Sequence, residues 1–180
     1  MLTITIPAGE MFDEKTQTFL ETKEQTLQLE HSLVSLSKWE SKWCRPFLSK
    51  EEKTLEQTID YIKCMTITQN VDPNVYLSLS RSNIEEINKY IESPMTATTF
   101  TEHVKNSNSG ENTTSELIYY WMISFNIPME CQKWHLNKLL TLIRVCNVKN
   151  APPKKMSKRD ITSRYASLNA ARRNKLNSKG

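Results

Sequence analysis

Residues 116–146 hold the densest apolar content of the chain and are interrupted once, at Asn126-Ile127-Pro128. Proline cannot continue a helix interior but suits a first helical position, so this stretch predicts two helices folded back on each other. The first arm, Leu117-Ile118-Tyr119-Tyr120-Trp121-Met122-Ile123-Ser124-Phe125, is apolar nearly all round, which at helical period predicts burial on most faces. The second arm is amphipathic: Leu136, Leu139, Leu140 and Ile143 share a face, with Gln132, Lys133, Asn137, Lys138 and Arg144 opposite. Thr113 and Glu116 form a capping box ahead of the first arm. The run is too short to span a bilayer, which takes about 20 apolar residues. The hairpin is therefore the expected stability core, with Trp121 and Leu140 inside it.

The segments before it must pack on that hairpin. In residues 1–30, Leu2, Ile4 and Ile6 alternate with threonines, and Leu27 and Leu29 alternate with Thr26, Gln28 and Glu30. This period-two pattern, with Thr16–Glu21 as a third candidate, predicts a small antiparallel sheet of two or three strands. From His31 to Cys44 the period becomes helical, with Leu33, Leu36, Trp39 and Trp43 on one face and Ser35, Lys38, Glu40 and Lys42 elsewhere. Capping boxes at Ser49/Glu52 and Ser82/Glu85 predict helices to Thr66 (Leu55, Ile59, Ile62 and Met65 inward) and to Ile91 (Ile84, Ile87 and Ile91 inward), with a turn at Asp72-Pro73-Asn74 between them. Residues 93–115, rich in Ser, Thr and Asn, read as a long polar loop. The expected fold is mainly α: one helical domain of five to six helices, residues 31–150, with a small N-terminal antiparallel sheet (1–30) and a basic C-terminal helix (151–180).

Charge divides the chain. Residues 151–180 contain Lys154, Lys155, Lys158, Arg159, Arg164, Arg172, Arg173, Lys175 and Lys179 against Asp160 alone, a net +8 that leaves −4 on the rest. Ala151-Pro152-Pro153 breaks the chain, and Ser157 with Asp160 opens a helix carrying a thin apolar stripe of Ile161, Tyr165 and Leu168 among the cations. A basic helix of this kind suits an acidic partner or nucleic acid. The binding residues it nominates are Lys154, Lys155, Lys158, Arg159, Arg164, Tyr165, Leu168, Arg172, Arg173 and Lys175.

Signs of chemistry are missing from the sequence. Its three glycines, Gly9, Gly110 and Gly180, open no helix after a strand, so no phosphate-cradling loop is present. His31, His103 and His135 carry no recognisable nucleophile motif and read as surface or satisfied core residues. Cys131 and His135 share a helical phase, but Cys146 lies about 16 Å further along a straight helix, so the four cysteines read as reduced core residues rather than zinc ligands. The N-terminus lacks a basic segment followed by an apolar one, so a cytoplasmic protein with no membrane segment, no cofactor, no metal and no catalytic activity is expected.

The segments Leu27-Gln28-Leu29-Glu30-His31-Ser32-Leu33-Val34-Ser35-Leu36-Ser37-Lys38-Trp39-Glu40-Ser41-Lys42-Trp43 and Cys131-Gln132-Lys133-Trp134-His135-Leu136-Asn137-Lys138-Leu139-Leu140, with the basic tail, resemble the tail assembly chaperones of long-tailed (siphovirus-type) bacteriophages. That resemblance implies a mostly helical protein that binds the tape-measure protein while the tail tube polymerises and is absent from the finished virion. It also implies a frameshifted longer form in many members. Two alternatives stand beside it: a virion component such as a head-to-tail connector or minor tail protein, and a nucleic-acid-binding protein acting through the basic tail.

Overall fold

Isoleucines and leucines at every second position fold the N-terminus as a ribbon. In the computed structural model, which describes residues 1–13, 18–100, 112–151 and 157–177, strand β1 (Leu2–Ile6) pairs antiparallel with β4 (Gln25–Leu29), and β2 (Gly9–Asp13) pairs with β3 (Thr18–Thr22). The small antiparallel ribbon expected at the N-terminus is present as two two-stranded ladders, and β2 is a strand that the alternation did not predict. Both keep one register, Leu2 opposite Leu29 and Gly9 opposite Thr22, so they are one hairpin interrupted at Pro7-Ala8, where proline offers no N–H to the ladder. The β1–β4 half points Ile4, Ile6, Leu27 and Leu29 inward and its threonines outward. On the free edge of β4, Glu30 N–H donates to Met65 O (2.9 Å) and Ile67 N–H to Gln28 O (2.8 Å), so the chain beyond α2 extends the ribbon.

Helix α1 (Leu33–Trp43) starts at Ser32, whose Oγ accepts from Ser35 N–H. It buries Leu33, Leu36 and Trp39, and the Trp39 Nε1–H donates to Gln57 O at 2.9 Å. Helix α2 (Leu55–Met65) begins five residues later than the Ser49/Glu52 box suggests, because the box in use is Thr54/Gln57. The physical reason is Phe47: it is buried and stacked on Tyr61 at 3.8 Å between ring centroids, which ties the connecting segment to the core. Leu55, expected inward, is exposed, while Tyr61, Ile62 and Met65 are buried. A 3-10 turn (Pro73–Ser78) replaces the simple turn at Asp72 and buries Val75 and Tyr76. Helix α3 (Arg81–Glu92) is capped by Ser80 and Asn83 rather than Ser82 and Glu85, and buries Ile87 and Tyr90. Ile84 and Ile91 are only half-buried.

Helix α4 (Ser115–Ser124) is capped by Thr114, and another 3-10 turn (Met129–Lys133) precedes α5 (Leu136–Asn150). The two expected helices are therefore present, joined by a longer segment than Asn126-Ile127-Pro128 alone, and α4 packs chiefly on α1 rather than folding back along α5. Cys131 lies in the 3-10 turn and His135 just before α5, so they do not share the helical face assigned from spacing. Ile118, Met122, Leu136, Leu139 and Ile143 join the core; Trp121 and Leu140 are only half-buried. The expectation that the first arm is buried on most faces fails: Tyr120 and Ile123 are 62% and 66% exposed, because α4 packs only one side against the body. Last comes α6 (Lys158–Leu176). The chain forms two compact units, Met1–Asn147 and Val148–Gly180. The fold is mainly helical, with the small β-ribbon at its N-terminus, and among the described residues no helix is long and apolar enough to cross a membrane.

Candidate interaction site

Helix α6 starts because Ser157 can satisfy its first turn: the Oγ accepts from Asp160 N–H (3.1 Å) and donates to the Asp160 carboxylate (2.6 Å). Asp160 also places a negative charge at the positive end of the helix dipole, and Arg173 and Lys175 sit in the last turn at its negative end. Asn177 closes the helix in the left-handed conformation (φ 47°), its N–H donating to Arg173 O. Three alanines and six Lys or Arg residues, all good helix formers, are spread along it.

Every residue of α6 is exposed. Of the residues nominated from sequence, Lys158, Arg159, Arg164, Tyr165, Leu168, Arg172, Arg173 and Lys175 lie on this one helix; Lys154 and Lys155 lie outside the described residues. Helical phase separates them. Ile161, Tyr165 and Leu168 stand one above another at 41%, 63% and 44% exposure, and with Arg164 they line one shallow hollow. At about 100° per residue, Lys158, Arg172 and Lys175 fall on the same side as that stripe, whereas Arg159 and Arg173 fall on the other side with Ala166 and Ala170. Leu176, 74% exposed at the end of the helix, is a further apolar residue that the sequence reading left out.

The body contains a buried titratable cluster that sequence reasoning also missed. His31, two residues past β4, and His135, before α5, meet with ring centroids 5.1 Å apart. An isolated antiparallel bridge joins Ser32 to His135, and Leu136 N–H donates to His31 O at 2.7 Å. Nδ1 of His135 accepts from Asn137 N–H (3.3 Å), so its Nε2 carries the proton donated to Tyr90 O (3.0 Å), and the ring is neutral. Nδ1 of His31 shares a 2.5 Å hydrogen bond with the Tyr61 hydroxyl. Tyr90 in turn donates to Glu30 (2.7 Å), whose other oxygen pairs with the N-terminal ammonium (2.9 Å). Burial, aided by the neighbouring His135, pushes His31 down to about 4. Burial also lowers His135 and raises Tyr61 and Tyr90 well above the usual phenol range. All four are held neutral. With His31 and His135 at 2% and 7% exposure, the cluster is buried, and its bonds tie the chain after β4 to α2, α3 and the start of α5.

Glu40 is a second buried anchor. Its carboxylate accepts from Phe47 N–H (2.8 Å) and from Ser115 N–H (2.7 Å), which joins α1 to the N-terminus of α4. Two hollows lie beside α5. One, of about 310 Å³, is lined by Trp121, Phe125, Leu140 and Ile143 among others. A neighbouring one shares Leu140 and Arg144 with it, and the Arg144 guanidinium stacks on Phe100 at 3.9 Å. Among the described residues no three His, Cys, Asp or Glu side chains gather in a way that could hold a metal ion. No protein-family model matches the chain, and neither a curated protein nor a solved structure matches it.

Proposed function

We propose that the chain is a non-enzymatic binding protein of the host-cell cytoplasm that holds a helical protein partner through α6. In this reading it serves phage tail morphogenesis, as the tail assembly chaperones it resembles serve the tape-measure protein. The observation that carries the reading is the apolar stripe: three large side chains at i, i+4 and i+7 of a capped helix, all exposed. A helix held in a groove is anchored by such a stripe, whereas phosphate binding needs only the cations. The buried histidines support a non-catalytic body, because they are consumed in tying four elements together.

Two sets of variants test it. One replaces Ile161, Tyr165 and Leu168 with serine; the other replaces Arg164, Arg172 and Arg173 with glutamine. Each is co-expressed with the long coiled-coil tail protein and assayed for keeping that partner soluble, and each is assayed for DNA binding at physiological salt. The serine variant should lose the partner. If both variants keep the partner soluble and the glutamine variant alone loses DNA, the function is nucleic-acid binding instead. Presence of the protein in purified particles would favour the virion-component alternative.

A further inference from the structure

The seam of α6 runs Lys158, Ile161, Tyr165, Leu168, Arg172, Lys175, in alternating steps of three and four residues. That is the a/d spacing of a coiled coil, kept over about 25 Å of helix. All six side chains are exposed. The seam is apolar only in its middle; a cation closes it at one end and two close it at the other. Paired with the α6 of a second copy in parallel, it would set Lys158, Arg172 and Lys175 each against itself. Paired antiparallel about its middle, it would set Lys158 against Lys175 and Arg172 against Ile161. Both arrangements put like charges or an unpaired cation into a desolvated seam, which is how polar core positions forbid the wrong pairing. Carboxylates opposite the same three positions would turn each conflict into an ion pair.

We infer that α6 is one half of a heteromeric helix pair whose other half is an acidic heptad helix, apolar opposite Ile161, Tyr165 and Leu168 and carboxylate-bearing opposite Lys158, Arg172 and Lys175. This rests on the protein-partner reading above and names the chemistry of that partner. The occupant follows from charge complementarity: the seam cations select carboxylates and reject a second copy of the same helix. The apolar middle sets the register, because a slip of one heptad would place a cation against the partner's leucines.

The test uses the full chain and three labelled helical peptides of about three heptads each. The first has leucine at the central seam positions and glutamate at the outer ones; the second has lysine in place of the glutamates; the third is a scramble of the first with the seam destroyed. Fluorescence anisotropy should show the acidic in-register peptide binding at least about tenfold more tightly than the scramble, with no binding of the lysine peptide. The chain carrying Lys158→Glu, Arg172→Glu and Lys175→Glu should exchange this preference and take the lysine peptide. Equal binding of scramble and in-register peptide overturns the inference, since the cations alone would then be acting. Loss of the co-expressed partner in the serine variant with no binding of the acidic peptide overturns the acidic chemistry and leaves the protein-partner reading in place. If a DNA duplex binds parent and serine variant alike and no peptide binds, both fall. Dimerisation of the free chain that disappears with the triple glutamate variant also overturns it.

Discussion

Helices α1 and α6 carry nearly the same pattern and meet opposite fates. Leu33, Leu36 and Trp39 recur at helical spacing in one, Ile161, Tyr165 and Leu168 in the other; the first set is at most 2% exposed, and the second is at least 41% exposed. Their polar residues differ as sharply. In α1 Ser35 and Glu40 are buried and bonded, whereas in α6 every polar side chain faces solvent. Periodicity therefore tells which face of a helix is apolar, and only the neighbouring elements tell whether that face is already covered. An apolar stripe covered by its own unit contributes to stability; the exposed one on α6 is the surface that the proposal above gives to a partner.

The largest expected effect is on the covered side. Leu36→Ala should destabilise the protein by about 2–5 kcal/mol in denaturant titration, while Leu168→Ala should stay within about 0.5 kcal/mol of the parent. A comparable loss in both would erase the contrast. Next comes Glu40→Gln, which turns one acceptor of two buried N–H groups into a donor and should cost about 1–3 kcal/mol. If it is neutral, the carboxylate does not tie α1 to α4.

Acid should act on the body through His31. Its folded-state value, about 4, lies below the ordinary value of 6.5, so between the two the unfolded chain binds more protons. Stability is then complete above about pH 6.5 and falls as pH drops towards 4, by at most about 1.4 kcal/mol per pH unit for this one ring. Urea midpoints between pH 7 and pH 4 check this, and His31→Gln should flatten the dependence. A smaller effect is expected at Trp121, half-buried beside a hollow: Trp121→Ala should cost about 1–2 kcal/mol, less than a fully buried aromatic.

Much of this was legible in the residues. The 3.6-residue spacing marked α1, α3 and α5, the period-two spacing marked β1 and β4, and the Pro-Pro break with the Ser157 cap marked α6. Where the reading failed, a tertiary contact decided. Phe47 on Tyr61 delayed α2, and nothing local announces that stacking. Leu117–Phe125 looked buried all round because composition cannot count the helices available to cover it. His31 and His135 are far apart in sequence, so their meeting was invisible, although His31 continues the inward alternation of Leu27 and Leu29. Glu40, expected away from the apolar face, is buried; its position seven residues after Leu33 and four after Leu36 is the signal that places it inside the stripe of α1, where a carboxylate must find donors. The shifted capping boxes show the limit of a local motif: Thr54/Gln57 fits the rule as well as Ser49/Glu52, and Ser80/Asn83 makes the same reciprocal bonds with an asparagine that the rule does not name.

The central claim is that the α6 stripe serves a partner and not the fold. Its most direct test is a thermal melt of the chain with Ile161→Ser, Tyr165→Ser and Leu168→Ser together, run beside the partner-retention assay. The account predicts a melting temperature within about 2 °C of the parent, together with loss of the partner, since exposed positions contribute little to folding. A fall of roughly 5 °C or more, or an unchanged midpoint with the partner still retained, would contradict it.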